Sequence, residues 1–226
     1  MLREPLIEKT ISGLHSSLIQ RLPEINHAAP ILDIGCGTGA WLARLSTAGF
    51  RHLHGIDLDV SQFKADGATC SKVNLDQDEM DFGEKKYELI SAIELLEHLE
   101  NPGRLFKFVS NYLDEKGHFL LTTPNIHSLR CRVKFMLTGR LASFDEKGDP
   151  THIYPVLLTS LERILPRYSL TIVKSWSFPD KGTLIFRRPI RMMSAGLGLA
   201  LPDPVPGDTL CLLIKRQAKD RALHAR

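Results

Sequence analysis

The segment that most restricts the fold is Asp33-Ile-Gly-Cys-Gly-Thr-Gly39. It directly follows Pro30-Ile-Leu-Asp-Ile, a short apolar run bounded by turn residues, which reads as a buried strand. It leads into Trp41-Leu-Ala-Arg-Leu, which reads as a helix ending at Gly49. Glycines at a strand-to-helix junction let the backbone turn sharply and let a ligand approach the main chain. The helix start adds N–H groups with no intrahelical acceptor. A chain committed to this junction is a βα unit built to face a ligand.

The alternation continues downstream. His52-Leu-His-Gly-Ile-Asp57 reads as a second strand, residues 70–75 as a third, and Tyr87-Glu-Leu-Ile-Ser-Ala-Ile93 as a fourth. A helix is predicted from Pro102 to Leu113, with Leu105, Phe108, Val109 and Tyr112 as its apolar face. Gly117-His-Phe-Leu-Leu-Thr-Thr123 reads as a fifth strand, stopped by Pro124. Ahead of the first strand, Ile7, Ile11, Leu14, Leu18 and Leu22 recur three or four apart, which predicts a helix over residues 5–22. Beyond Pro124 the pattern loosens. A helix is expected over 126–139, a polar loop over 139–152, a helix over 156–165, and strands over 170–178 and 210–215. Residues 179–208 hold five prolines and four glycines and read as an insertion or lid. Strands alternating with helices imply a Rossmann-like, mostly parallel sheet with helices on both faces. The expectation is one domain over residues 1–226: an N-terminal helix within 1–28, a cofactor-binding core over 30–125, substrate-side elements over 126–208 and a last strand over 209–216.

Two cofactors are compatible with a glycine loop after a strand. Gly35-x-Gly37-x-x-Ala40 formally satisfies the dinucleotide fingerprint. That fingerprint holds a pyrophosphate, and Asp33, two residues ahead of the first glycine, would repel one. Asp33 suits an ammonium group instead. Asp57, closing the next strand, sits where a carboxylate accepts hydrogen bonds from ribose hydroxyls. Ribose, ammonium and a close backbone together describe S-adenosylmethionine better than a nicotinamide dinucleotide.

Residues 31–125 resemble the class I S-adenosylmethionine-dependent methyltransferases, carrying ILDIGCGTG, GIDLD, ELISAIELLEHLENP and FLLTTPN in that family's order. The resemblance implies a seven-stranded sheet with one antiparallel strand near its edge, supplied by residues 210–215. It implies that Asp33, Gly35, Cys36, Gly37, Thr38 and Gly39 hold the methionine part, and that Asp57 and Leu58 meet the ribose. Asn74 and Leu75 fall where the family contacts adenine; an acid is common there, and Asp76 is the near alternative. Ile93 and Glu94, just past the fourth strand, approach the sulfonium end.

Glu94, Glu97 and His98 are spaced i, i+3 and i+4, so a helical turn would point all three the same way. Two carboxylates and an imidazole suit Mg²⁺ or Mn²⁺. His152, in Gly148-Asp-Pro-Thr-His152, is a candidate fourth ligand or a base. The Glu-x-x-Glu-His run is similar to that of the ubiquinone-biosynthesis type of O-methyltransferase. It is also similar to that of enzymes that methylate the 3′-terminal ribose of small RNAs, which use a later histidine as well. Glu-His pairs at this position also serve as a general base or orient a loop. His98, Glu94 and His152 are therefore the catalytic candidates, and Glu94, Glu97, His98 and His152 the metal candidates.

Composition narrows the acceptor only partly. Apolar residues make up 43% of the 226 residues and charged residues 24%, ordinary for a globular chain. Residues 57–100 carry twelve acids against four bases; residues 122–226 carry eight against seventeen. The basic half, with a knot at Arg187, Arg188 and Arg191, suits an anionic acceptor or surface, or is simply solvated. The chain carries neither a recognisable RNA-binding module nor an aromatic stacking run. A small-molecule or glycan-precursor hydroxyl is the expected acceptor, an RNA 2′-hydroxyl the alternative, and a cofactor-binding regulator without turnover a third reading. Cys36, Cys70, Cys131 and Cys211 are dispersed and expected to be reduced thiols. With neither an apolar leader nor a run of about 20 apolar residues, the expectation is a cytoplasmic protein without a membrane span.

Overall fold

The computed structural model describes residues 6–180 and 206–217. Five parallel strands carry the cofactor half: β1 (Pro30–Ile34), β2 (His52–Asp57), β3 (Ala68–Lys72), β4 (Tyr87–Ile93) and β5 (Leu113–Pro124). Two more, β6 (Leu170–Phe178) and β7 (Thr209–Arg216), complete a seven-stranded sheet in the order β3-β2-β1-β4-β5-β7-β6. β7 runs antiparallel to both its neighbours, as expected for residues 210–215.

Side-chain alternation builds a core on each face. Leu32 and Ile34 of β1, Ile90 and Ala92 of β4, Phe119 and Leu121 of β5, and Leu210, Leu212 and Ile214 of β7 point to one face. There they pack against α3 (Pro102–Tyr112), whose Leu105, Phe108, Val109 and Tyr112 form the predicted apolar stripe, joined by Phe106. Ile31, Leu89, Leu120 and Cys211 point the other way, against α1 (Leu14–Arg21) and Trp41, Leu42 and Leu45 of α2 (Ala40–Thr47). β1, β4 and β5 are buried on both faces, which is why they read as apolar runs. Strand order reverses between β1 and β4, and ligands of open α/β sheets sit at the carboxyl edge of such a point.

Three local expectations are corrected. The N-terminal helix spans Leu14–Arg21, not 5–22: Gly13 takes φ 85°, a left-handed conformation that starts the helix late. Ile7 is 74% exposed, and residues before Gly13 run over the site described below. The third strand ends at Lys72, where it pairs with Asp57, and does not reach Leu75. Asn74 instead opens a turn, its Oδ1 accepting from the Asp76 N–H at 3.0 Å. The long fifth strand starts at Leu113, directly after α3, well before Gly117. In the substrate half, α4 (Leu129–Thr138) and α5 (Leu158–Ile164) fall inside the two predicted helical stretches. Most of the predicted insertion, with Arg187, Arg188 and Arg191, lies outside the described residues. No helix among the described residues is long and apolar enough to cross a membrane.

Candidate active site

The carboxyl ends of β1, β2 and β4 open into a cleft of about 560 Å³. The Gly35 and Cys36 N–H groups both donate to the Ile56 carbonyl, at 2.8 and 3.2 Å, so the glycine loop is pinned to the end of β2. Gly35 takes φ 74°, and a Cβ there would stand 2.8 Å from Leu95 Cδ1. Gly37 takes φ 50°, and a Cβ would meet nothing within 4 Å, since it faces open space. Asp57 closes the arrangement: its Oδ2 accepts from the Gly37 N–H at 2.7 Å and its Oδ1 from the Asp59 N–H at 2.9 Å. Each oxygen keeps a further lone pair.

Asp33 lies beneath the loop, 3% exposed, and lines the cleft. Its Oδ1 accepts the Ser91 hydroxyl at 2.7 Å, and Ser91 Oγ accepts the Trp41 indole N–H at 3.0 Å. Burial pushes the Asp33 carboxyl up to about 7, with the nearby Asp57 charge adding to it and the Ser91 hydrogen bond opposing it. A carboxylate so desolvated, with one neutral donor, lacks a cation. The ammonium of an amino acid supplies that cation, so the residues present fit S-adenosylmethionine.

At the end of β4 the chain turns through Glu94, which takes φ 49°. That conformation costs a non-glycine residue about 1–2 kcal/mol, and such strain clusters at ligand sites. Thr122 holds it, accepting from the Glu94 N–H at 3.0 Å and donating to Glu94 Oε1 at 3.0 Å. Burial raises the Glu94 carboxyl to about 7. Glu97 and His98 follow in a single 3₁₀ turn, Leu96–His98. Glu97 is fully buried, and among the described residues neither carboxylate oxygen has a hydrogen-bond partner of good geometry, the neighbouring Thr123 hydroxyl giving only partial relief. Burial, with the Glu94 charge beside it, drives its carboxyl well above the usual carboxylate range.

The loop at Asp149–His152 completes the cluster. Ile153 and Tyr154 both donate their N–H to the Glu97 carbonyl at 2.9 Å, which lays the loop against the 3₁₀ turn. The His98 and His152 rings stand edge to face, centroids 4.7 Å apart. His152 Nδ1 lies 2.8 Å from the Ser143 carbonyl, which can only accept, so Nδ1 carries a proton, and in the neutral ring that leaves Nε2 as the free acceptor. Burial lowers His98 below the usual imidazole range, and the neighbouring His152 adds to it. Glu97, His98 and His152 offer ligand atoms within 4.8 Å of one another. Glu94 stands outside that group.

Of the residues singled out by sequence, Asp33, Gly35, Cys36, Gly37, Thr38, Asp57, Ile93, Glu94, His98 and His152 line the cleft. Gly39 instead caps α2 and packs against Phe63 and Ala65. Leu58 is 59% exposed and away from the lining. Leu75 is buried in the core, and Asp76 receives the Glu100 and Asn101 N–H groups, at 3.3 and 3.0 Å. Sequence reasoning missed Ser91, Asp149 and Thr151. A serine inside a strand buried on both faces, and the Asp-x-Thr turn before His152, were the available signals.

Sheet order, switch-point cleft and the acid-glycine-acid frame together define the class I S-adenosylmethionine-dependent methyltransferase fold. Residues 7–175 match the family model described as a methyltransferase domain, so the chain belongs to that family and is a methyltransferase. It is 26% identical over 136 residues to Methyltransferase-like protein 27 of Homo sapiens, covering 58% of this chain and 55% of that protein. The match thus spans about half the length of the human relative. It is also 26% identical over 164 residues to a Ubiquinone biosynthesis O-methyltransferase of Hydrogenovibrio crunogenus, covering 68% and 67% of the two chains. A S-adenosylmethionine-dependent methyltransferase structure from Archaeoglobus fulgidus shares the fold with a TM-score of 0.64, at 20% identity, over 90% of this chain and 93% of that one.

Proposed function

We propose that this methyltransferase acts on a hydroxyl of a small molecule or glycan precursor, with residues 1–226 forming one catalytic domain. The observation that carries the reading is His98: a cleft-lining imidazole that burial holds below the usual imidazole range, with its Nδ1 hydrogen-bonded to the loop of His152. Bound S-adenosylmethionine supplies a methyl group on a sulfonium that is already a good leaving group. The chain must align the acceptor and remove its proton. His98 Nε2 would take the proton of the acceptor hydroxyl. Asp33 holds the ammonium, Asp57 the ribose, and Ile93 and Glu94 shape the end of β4. That one relative is named as an O-methyltransferase agrees with oxygen as the acceptor atom.

A second reading rests on Glu97. Two buried carboxylate oxygens without a well-formed hydrogen bond among the described residues, beside two histidines that can each present Nε2, form a donor set that fits a divalent ion such as Mg²⁺ or Mn²⁺. Glu97, His98 and His152 would hold it, and it would lower the acceptor hydroxyl's pKa.

Labelled cofactor added to fractionated metabolite extracts, followed by identification of the methylated product, tests the first reading. An O-methyl product, and about a 10²–10⁴-fold loss of turnover in His98→Gln with unchanged S-adenosylhomocysteine affinity, are expected. An N-methyl product, or full activity in that variant, overturns it. Turnover that survives exhaustive chelation overturns the metal reading.

A further inference from the structure

Three residues outside the cofactor frame form a hydrogen-bonded chain that ends on His98. Asp149 Oδ1 accepts both the Thr151 hydroxyl, at 2.6 Å, and the Thr151 N–H, at 2.9 Å. His98 Nδ1 lies 2.9 Å from Thr151 Oγ1 and 3.2 Å from the Thr151 carbonyl. The proton positions follow by elimination. The Thr151 hydroxyl proton goes to the carboxylate, the stronger acceptor. The Thr151 carbonyl can only accept. Nδ1 therefore carries the proton and shares it between the two Thr151 oxygens. Those two hydrogen bonds also keep Asp149 below the usual carboxylate range, so it stays an acceptor near neutral pH. Asp149, Thr151 and His98 all line the cleft.

We propose that Asp149 and Thr151 are positioning residues that lock His98 in its Nδ1–H tautomer, leaving Nε2 bare for the methyl acceptor. The functional value of the lock rests on the reading of His98 as proton acceptor. The tautomer itself does not. Without a partner on Nδ1, the ring is free to carry its proton on Nε2, and that form cannot take another from a hydroxyl.

The test is ¹⁵N NMR of histidine-labelled full chain with S-adenosylhomocysteine at about pH 8, the His98 signals being those lost in His98→Gln. Wild type and Thr151→Ser should show Nδ1 protonated and Nε2 bare. Thr151→Val and Asp149→Asn should move population toward the Nε2–H form. In turnover, Thr151→Val should lower kcat about 10–100-fold, the scale for removing an orienting partner, with the KM for cofactor unchanged and with recovery in Thr151→Ser. A wild-type His98 protonated on Nε2 overturns the lock whatever the variants do, and a Thr151→Val spectrum identical to wild type overturns the roles of the Thr151 hydroxyl and Asp149, since the backbone carbonyl at 3.2 Å would then hold the ring by itself. Full turnover in His98→Gln would sink the base assignment alone, since the tautomer measurement needs no acceptor.

Discussion

Asp33 and Ser91 face each other in register across β1 and β4, and the Ser91 hydroxyl donates to Asp33 Oδ1 at 2.7 Å. The pair sits at the point where strand order reverses. Ser91 is the only direct hydrogen-bond donor shown for Asp33 among the described residues, and burial outweighs it, leaving the carboxyl near 7. A bound ammonium would favour the ionised form, so binding below about pH 7 must first expel a proton. Affinity for S-adenosylhomocysteine should therefore fall about tenfold per pH unit on the acid side and level off above pH 7. Calorimetry across about pH 5–8 reads this directly. Asp33→Asn should flatten the profile and weaken binding by about 1–3 kcal/mol.

The contribution of Asp33 to stability without cofactor should move in the opposite direction with pH. A folded-state carboxyl raised from 3.8 to about 7 binds protons that the unfolded chain releases. Its contribution is fully present below the unfolded value and is lost as pH rises through the folded one. Glu94, raised from 4.5 to about 7, adds in the same sense. Thermal denaturation of the cofactor-free protein should show that, from about pH 5 to 8, the wild type loses melting temperature relative to Asp33→Asn; the buried His15 and His118, lowered to about 4, oppose the fall equally in both proteins. Added S-adenosylhomocysteine should restore stability most at the alkaline end.

Asp57→Ala removes both the carboxylate offered to the ribose and the acceptor of the Gly37 N–H. Cofactor affinity should drop by about 1–3 kcal/mol, the scale of a lost charged hydrogen bond. Calorimetry at fixed pH measures it. An unchanged affinity would place the ribose elsewhere.

Gly35→Ala and Gly37→Ala should separate. Both positions have positive φ, worth about 1–2 kcal/mol against alanine. Only Gly35 adds a collision, 2.8 Å from the Leu95 side chain. Chemical denaturation should show the larger loss at Gly35, while Gly37→Ala, whose new methyl faces open space, should lose less stability. Equal destabilisation would mean that Leu95 yields freely.

Much of the parallel sheet was legible because β1, β4 and β5 are buried on both faces and so become apolar runs. The cofactor frame was legible because one carboxylate precedes the glycines and another closes the next strand. Periodicity misled at the N-terminus: Ile7 and Ile11 continue the spacing of Leu14 and Leu18, yet Gly13 interrupts the backbone between them. Spacing counts side chains and is blind to a single φ. Asp76, the near alternative for the adenine contact, accepts the Glu100 and Asn101 amides, a pairing between distant positions that local spacing does not encode. The Asp149–Thr151–His98 chain joins residues more than fifty positions apart, which no local pattern encodes.

The Glu97 carbonyl, shared by the Ile153 and Tyr154 amides, has a practical consequence for redesign. A transplanted acceptor loop would have to bring two successive amides to one oxygen, or else His152 drifts from His98. Retargeting the acceptor should therefore leave the Glu97 carbonyl and the Ile153 and Tyr154 amides in place.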